Sequence, residues 1–320
     1  CVRFGVKRVL IANQPVGDQA IDACFRALQG DGFELYCLAD GLPGLQLLAE
    51  GVKRNPPPKG NPLRVLVEIG FLGGRTGART REQAMEVARV VASTPGLVLG
   101  GFECFEGLLP TPEAADGLID DVAALAVSAL AEGLFRDGQP VVVSAGGSAF
   151  FDRVGTRFNQ VAFARPVVKV LRSGCYLTHY SISYAAAFER IISDTSLQLP
   201  EGRLEAALEV WAYVQSRPED GRTVLTMGKR DISFDAGMPV PLRWFRPGQM
   251  TRPEAMPAGH TVVALNDQHC HMTTPTDSPL EAGDMVAFGI GHPCTTFDKW
   301  QMLVLVDEDY GVTGALKTFF

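Results

Sequence analysis

No apolar run in the 320-residue sequence reaches the length that a membrane span requires. Lys and Arg form no cluster, and a net charge of −7 gives nucleic acid or an anionic membrane nothing to hold. The seven cysteines show no framework spacing, which argues against a disulfide scaffold and for free thiols in a reducing cytosol. Internal repeats and low-complexity tracts are missing as well. No secretory signal is visible, and the chain opens on Cys1 rather than methionine, so it reads as a fragment whose beginning is missing. With 46% hydrophobic and 20% charged residues, what remains is a soluble, cytoplasmic, globular protein that handles small molecules.

From residue 8 to about 178, short β-branched runs alternate with helical stretches. The runs are Arg8 to Ala12, Phe33 to Leu38, Leu63 to Ile69, Leu97 to Phe102, Val141 to Ser144 and Val167 to Leu171. Between them, Gly17 to Leu28, Thr80 to Val91 and Thr111 to Leu134 read as helices; Thr80 is a candidate N-cap and Thr-Pro-Glu opens the last one. Such alternation predicts parallel strands joined by right-handed crossovers, with chemistry at the C-terminal strand ends. Only six strands are visible, so an eight-stranded barrel needs two more, which the missing beginning would supply. From Leu208 onward the signals are strand and turn, with punctuation at Glu219-Asp220-Gly221, Arg246-Pro247-Gly248 and Glu281-Ala282-Gly283. The expected organisation is therefore an α/β barrel domain over 1–195 and an all-β domain over 196–320.

Gly291-His292-Pro293-Cys294 sets an imidazole and a thiol two residues apart. In extended chain both face one side and suit a zinc ion, although a lone pair of this kind is more often a buried cysteine beside a chance histidine. A catalytic zinc keeps open positions, so a sparse ligand set suits that version better than a structural one. His269 and His271 alternate on a strand-like stretch and suit a site-lining or acid–base role for one of them, the other facing solvent. Ser144-Ala145-Gly146-Gly147-Ser148 follows a strand, and its glycines let backbone N–H groups approach an anion; a plain tight turn is the competing reading. Arg75, within Gly73-Gly74-Arg75-Thr76-Gly77, either meets a phenolate or carboxylate or faces solvent. Gln14 at a strand end bonds a ligand or caps its own turn, and Cys104 reads as a packed thiol.

In this order, Ala12-Asn13-Gln14, Gly73 to Gly77, Ser144 to Ser148, Arg172-Ser173-Gly174-Cys175-Tyr176, Asn266 to His269 and His292-Pro293-Cys294 resemble the D-serine dehydratase and D-threonine aldolase family. The resemblance implies the alanine-racemase-like fold, a (β/α)8 barrel carrying pyridoxal 5′-phosphate followed by a β-domain, here without its first two strands. It implies that Gln14, Arg75 and Tyr176 line the cofactor, with Arg75 near the ring oxygen, and that Gly146, Gly147 and Ser148 hold the phosphate. It further implies catalytic zinc on His292 and Cys294. Dehydratases of the family carry His-x-Cys and the aldolases proper His-x-Asp, so Cys294 leans towards dehydration of a D-3-hydroxy amino acid to a 2-oxo acid and ammonia. Retro-aldol cleavage to glycine and an aldehyde is the runner-up, and a pyridoxal-phosphate-binding protein the non-enzyme alternative. The family's Schiff-base lysine has no match among Lys7, Lys53, Lys59, Lys169, Lys229, Lys299 and Lys317, so the chain by itself is expected to be inactive. A homodimer is expected from the same resemblance.

Overall fold

The computed structural model describes residues 1–174, 177–178, 181–194 and 204–319. It divides into two compact units, Cys1–Ser173 and Gly174–Phe320. In the first, strand and helix alternate as β1 (Arg8–Leu10), α1 (Asp18–Ala27), β2 (Glu34–Ala39), α2 (Leu42–Arg54), β3 (Leu63–Ile69), α3 (Arg81–Ser93), β4 (Leu97–Cys104), α4 (Pro112–Ala131), β5 (Val141–Ala145), α5 (Phe151–Gln160) and β6 (Val167–Leu171). The six strands pair in parallel in consecutive order, and β1 and β6 form the two edges of the sheet. This is the strand order of a (β/α) barrel whose sheet is open over the described residues.

The helices start where the sequence supplies caps. Thr80 accepts a hydrogen bond from the Gln83 N–H at 3.2 Å, and Thr111 accepts one from Ala114 at 3.3 Å. Alternate strand residues such as Leu35, Val65, Leu99 and Val143 point out into one large core shared with the helices, while the opposite face carries a much smaller cluster of Tyr36, Leu38, Leu66 and Val142. That inner face is layered. Arg8, Glu34 and Arg64 lie at the N-terminal strand ends, with the Arg64 guanidinium 5.6 Å from the Tyr36 ring centre. The apolar cluster lies above them, and polar side chains occupy the C-terminal ends.

The phase of β4 is set by a bulge. Leu97 and Leu99 join the outer core, but so do Phe102 and Cys104, which a regular alternation from Leu99 would turn inward. The register against β3 slips at this point, Val65 facing Leu99 and Leu66 facing Gly101, and Gly101 takes φ 150°. An added Cβ there would lie 1.8 Å from the Val142 carbonyl oxygen. The extra residue turns Glu103 to the inner face.

The second unit begins with α6 (Ser183–Asp194) and continues as β7 (Glu209–Glu219), β8 (Arg222–Leu225), β9 (Val240–Phe245), β10 (Glu254–Ala255), β11 (Thr261–Leu265), β12 (Cys270–Thr273), β13 (Met285–Gly289), the single-turn α7 (Cys294–Phe297), β14 (Met302–Val306) and β15 (Val312–Lys317). Seven strands form one sheet in the order β10-β9-β13-β7-β8-β12-β11, all antiparallel, and β14 and β15 form a separate hairpin. The expected turn at Glu219-Asp220-Gly221 joins β7 to β8, with Gly221 at φ 77°. Val210, Val214, Leu265, Met272, Val286 and Phe288 belong to its core. No described helix is long and apolar enough to cross a membrane.

Candidate active site

At the C-terminal ends of the parallel strands, register places Glu68, Glu103 and Ser144 side by side on β3, β4 and β5. Arg172, just past β6, reaches across them. Its guanidinium contacts Glu103 Oε2, donates from Nε to Ser144 Oγ at 2.9 Å and from Nη2 to the Cys104 carbonyl at 2.7 Å. Glu103 is 1% exposed, and burial pushes its carboxyl up to about 8, with Glu68 and Glu106 adding to the rise and Arg172 and Arg75 opposing it. Its second oxygen, Oε1, is buried without a hydrogen-bond partner. Cys104 is fully buried, and burial drives its thiol well up, as befits a packed thiol.

The loop after β3 is pinned by an arginine, but by Arg79. Its guanidinium donates to the carbonyls of Thr76 at 2.7 Å, Gly77 at 2.8 Å, Gly74 at 3.0 Å and Arg75 at 3.2 Å. Thr76 Oγ1 donates to Glu68 Oε1 at 2.6 Å. Arg75 is exposed and stacks 4.5 Å from the centre of the Phe105 ring. Gln14, at the end of β1, accepts the Asp40 N–H at 3.2 Å and lies against Gly44 of α2, so its amide bridges neighbouring strand ends.

The loop after β5 holds an anion already. Glu106 accepts the Gly146 N–H at 3.0 Å and the Gly147 N–H at 2.7 Å, one on each carboxylate oxygen. Burial raises the Glu106 carboxyl, and these N–H groups oppose the rise. The glycines are required by packing: a Cβ on Gly146 would come 2.4 Å from the Arg172 nitrogen, and one on Gly147 2.4 Å from the Gly107 Cα. The two N–H groups converge as donors to a carboxyl group, an arrangement suited to an oxygen ligand, and in this structure Glu106 takes both. Ser148 is half-buried in the same turn; Tyr176 lies outside the described residues.

In the second unit, His292 follows β13. Its ring Nδ1 lies 2.6 Å from Asp235 Oδ2, and Thr295 donates to the other oxygen of Asp235 at 2.8 Å. Burial tends to raise the Asp235 carboxyl, but the bonds from His292 and Thr295 outweigh it and hold the group below its usual value. The His292 N–H donates to Ser233 Oγ at 3.0 Å, and Thr296 receives the Ser233 N–H at 3.2 Å while donating to the His292 carbonyl at 3.0 Å. The 231–235 loop and the 292–296 turn are thereby fastened together.

The extended geometry expected for His292-Pro293-Cys294 is not what forms. Pro293 has φ −59° and ψ −44°, and Cys294 begins α7 with its side chain exposed, because proline is compatible with the first position of a helix. The pair is therefore offered by a turn, with an imidazole already oriented by a carboxylate in the way metal-binding histidines are. Such a donor set fits one corner of an open site; among the described residues no group of three or more His, Cys, Asp and Glu is arranged to hold a metal. His269 is exposed, whereas His271 Nδ1 lies 3.1 Å from Arg222 Nη2 and its Nε2 2.6 Å from Asn266 Oδ1. Neither joins His292.

Sequence reasoning missed Asp235 and Glu106. Asp235 lies 57 residues from its partner, with no local signal. Glu106 had one: it and Glu103 are two carboxylates in the short run Glu103-Cys104-Phe105-Glu106, at the end of an apolar strand.

A parallel sheet of this order followed in the chain by a separate antiparallel sheet is the arrangement of the alanine-racemase-like fold. An alanine-racemase-like protein from Idiomarina loihiensis covers 99% of the chain at a TM-score of 0.68 and 14% identity, with 79% of its own length matched. D-threonine aldolase from Filomicrobium marinum gives 0.75 at 22% identity, covering 99% of this chain and 77% of its own. D-threo-3-hydroxyaspartate dehydratase from Delftia sp. HT23 gives 0.67 at 18%, covering 99% and 80%, as does a metal-free variant of it with a cysteine replaced by alanine. More particularly, residues 207–306 match the putative serine dehydratase domain. The 3-hydroxy-D-aspartate aldolase of Paracoccus denitrificans (strain Pd 1222) is 27% identical over 245 residues, which are 74% of this chain and 57% of that protein. The chain thus spans little more than half the length of this curated relative, and the resemblance to the D-serine dehydratase and D-threonine aldolase family is borne out.

Proposed function

We propose that the protein is a lyase that converts a D-configured 3-hydroxy amino acid to a 2-oxo acid and ammonia, with pyridoxal 5′-phosphate and a divalent metal, zinc by preference, as its cofactors. The observation that carries this reading is His292, held by Asp235 at 2.6 Å and followed two residues on by Cys294, within the segment that matches the putative serine dehydratase domain. When bound, the cofactor supplies an electron sink for the charge left at Cα and the metal a Lewis acid for the β-hydroxyl. Asp235 keeps a proton on Nδ1 of His292 and so presents Nε2 as the metal donor. Cys294 adds a thiolate. Gly146, Gly147 and Ser148 are assigned to the phosphate, which requires Glu106 to yield its two N–H bonds or share the turn. Gln14, Arg75 and Tyr176 are assigned to the cofactor's edges. Of the lysines in the first unit, Lys7 precedes β1, Lys53 and Lys59 lie in and after α2, and Lys169 bonds Asn159 of α5, so this unit by itself would hold the cofactor without a covalent link.

Retro-aldol cleavage to glycine and an aldehyde is the second reading, supported by the Paracoccus and Filomicrobium enzymes, both aldolases. Product analysis from D-threonine and D-3-hydroxyaspartate, with and without chelator, decides between them. Metal-dependent 2-oxobutyrate or oxaloacetate with ammonia supports dehydration; glycine with acetaldehyde or glyoxylate would establish cleavage. The absence of bound metal at stoichiometric level would favour a plain cofactor-binding protein. The same proposal includes a cytoplasmic homodimer, for which sedimentation is the check.

A further inference from the structure

The β14–β15 hairpin stands apart from the seven-stranded sheet, and among the described residues β14 pairs with β15 alone. A free two-stranded ribbon is marginal in water, yet this one is fastened at both ends. Just before β14, Trp300 Nε1 donates to the Asp231 carbonyl at 2.7 Å. Past its far end, Tyr310 donates to Glu209 Oε2 at 3.0 Å and sets its ring 5.4 Å from that of Trp211. Between these anchors Met302, Val304, Leu305 and Val306 are 42–57% exposed, so the fastening holds an apolar strand open to water.

The two margins of the hairpin differ. β15 carries Gly314 and Lys317, residue types that discourage strand addition. β14, Met302-Leu303-Val304-Leu305-Val306, has no charge, glycine or proline, so its outer margin is a template. Its flanks bear opposite charge. Lys299 precedes it, Lys317 lies opposite Met302, and Asp298 is the one acid at this end; Asp307, Glu308 and Asp309 follow the strand, with Arg252 offsetting Asp309 at 2.6 Å. A parallel neighbour of the same sequence would bring this acidic end against its like. An antiparallel one, centred on Val304, sets Met302 opposite Val306 and the Lys299 end of each strand against the 307–309 end of the other.

We propose that the outer margin of β14 docks a second copy of this chain, the two β14 strands pairing antiparallel across a two-fold axis into one four-stranded sheet. The charge pattern carries the choice of partner, because it is complementary to itself in that direction alone. Each copy spends the same margin, so this contact closes at two copies. It gives the homodimer of the reading above a surface, and rests on that reading for the number of copies alone.

The test is sedimentation equilibrium of the 320-residue protein over a range of protein and salt concentrations. The dissociation constant of the dimer should rise with salt, as the paired flanks are screened. V304K sets two like charges face to face on the axis and should raise that constant at least about tenfold, whereas A315K, the same charge one strand further out, leaves it within about threefold. K299E weakens the dimer as well, and adding E308K restores the affinity, a readout that stands even if V304K fails to fold. Association that ignores V304K and K299E overturns this interface and leaves the homodimer standing. A monomer at every concentration overturns both, leaving β14 to a strand of different sequence.

Discussion

Nδ1 of His292 and Oδ2 of Asp235 meet at 2.6 Å, although 57 residues separate them in the chain. The contact fixes which ring nitrogen carries the proton and which faces out. Asp235→Ala should therefore weaken zinc binding by about tenfold to a hundredfold, measured by competition with a chromophoric chelator, while leaving the β-sheet circular dichroism in place. Unchanged zinc affinity would show that His292 is no ligand.

Gly101→Ala places a methyl group 1.8 Å from a backbone oxygen at φ 150°, where neither neighbour is a flexible side chain. It should cost about 2–4 kcal/mol of stability, read as a lower urea midpoint. Gly117→Ala is the control: it lies in α4 with nothing within 4 Å, and should stabilise by about 0.5–1 kcal/mol.

Arg79→Lys removes the planar fork that reaches four carbonyls from one guanidinium. The 70–78 loop should open more readily by about 1–3 kcal/mol. Faster hydrogen exchange at the Gly70 and Ala78 amides, which close this loop onto Ala78 and Glu68, is the measurement.

Glu103 titrates in the folded protein near 8, well above an unfolded glutamate, so the folded state binds the extra proton between pH 5 and 8. The stability it contributes is present below the unfolded value and is lost as pH rises through 8. Glu103→Gln should remove a negative slope of up to about 1.4 kcal/mol per pH unit in that window, measured by urea unfolding at several pH values. An identical slope in the variant would assign the effect to Glu106 or another group.

The parallel half of the fold was legible because β-branched runs and threonine caps act locally. All six runs became strands, and Thr80 and Thr111 cap the helices they precede. The antiparallel half followed from its turn residues for the same reason. The site was less legible, since its geometry depends on contacts between distant segments. The Ser144 to Ser148 turn looked like a ready anion cradle, but a carboxylate 40 residues upstream already sits on it. Glu103 closes an apolar run in the sequence, yet the bulge that turns it inward is a matter of register with β3. The helical turn at Cys294 overrode the extended reading because Pro293 is as well suited to opening a helix as to continuing a strand.

The open sheet of the first unit has two unlike margins. β1 is three residues long and begins with Arg8, a short and charged rim. β6 is longer, and Val168 and Leu171 are about half exposed along it, with Lys169 as the one charge between them. A row of unpaired backbone groups beside apolar side chains is a template for adding a strand, whatever chain that strand comes from. Unless another strand covers it, the β6 margin should govern the solution behaviour of this unit: self-association growing with concentration, seeded there and little affected by salt.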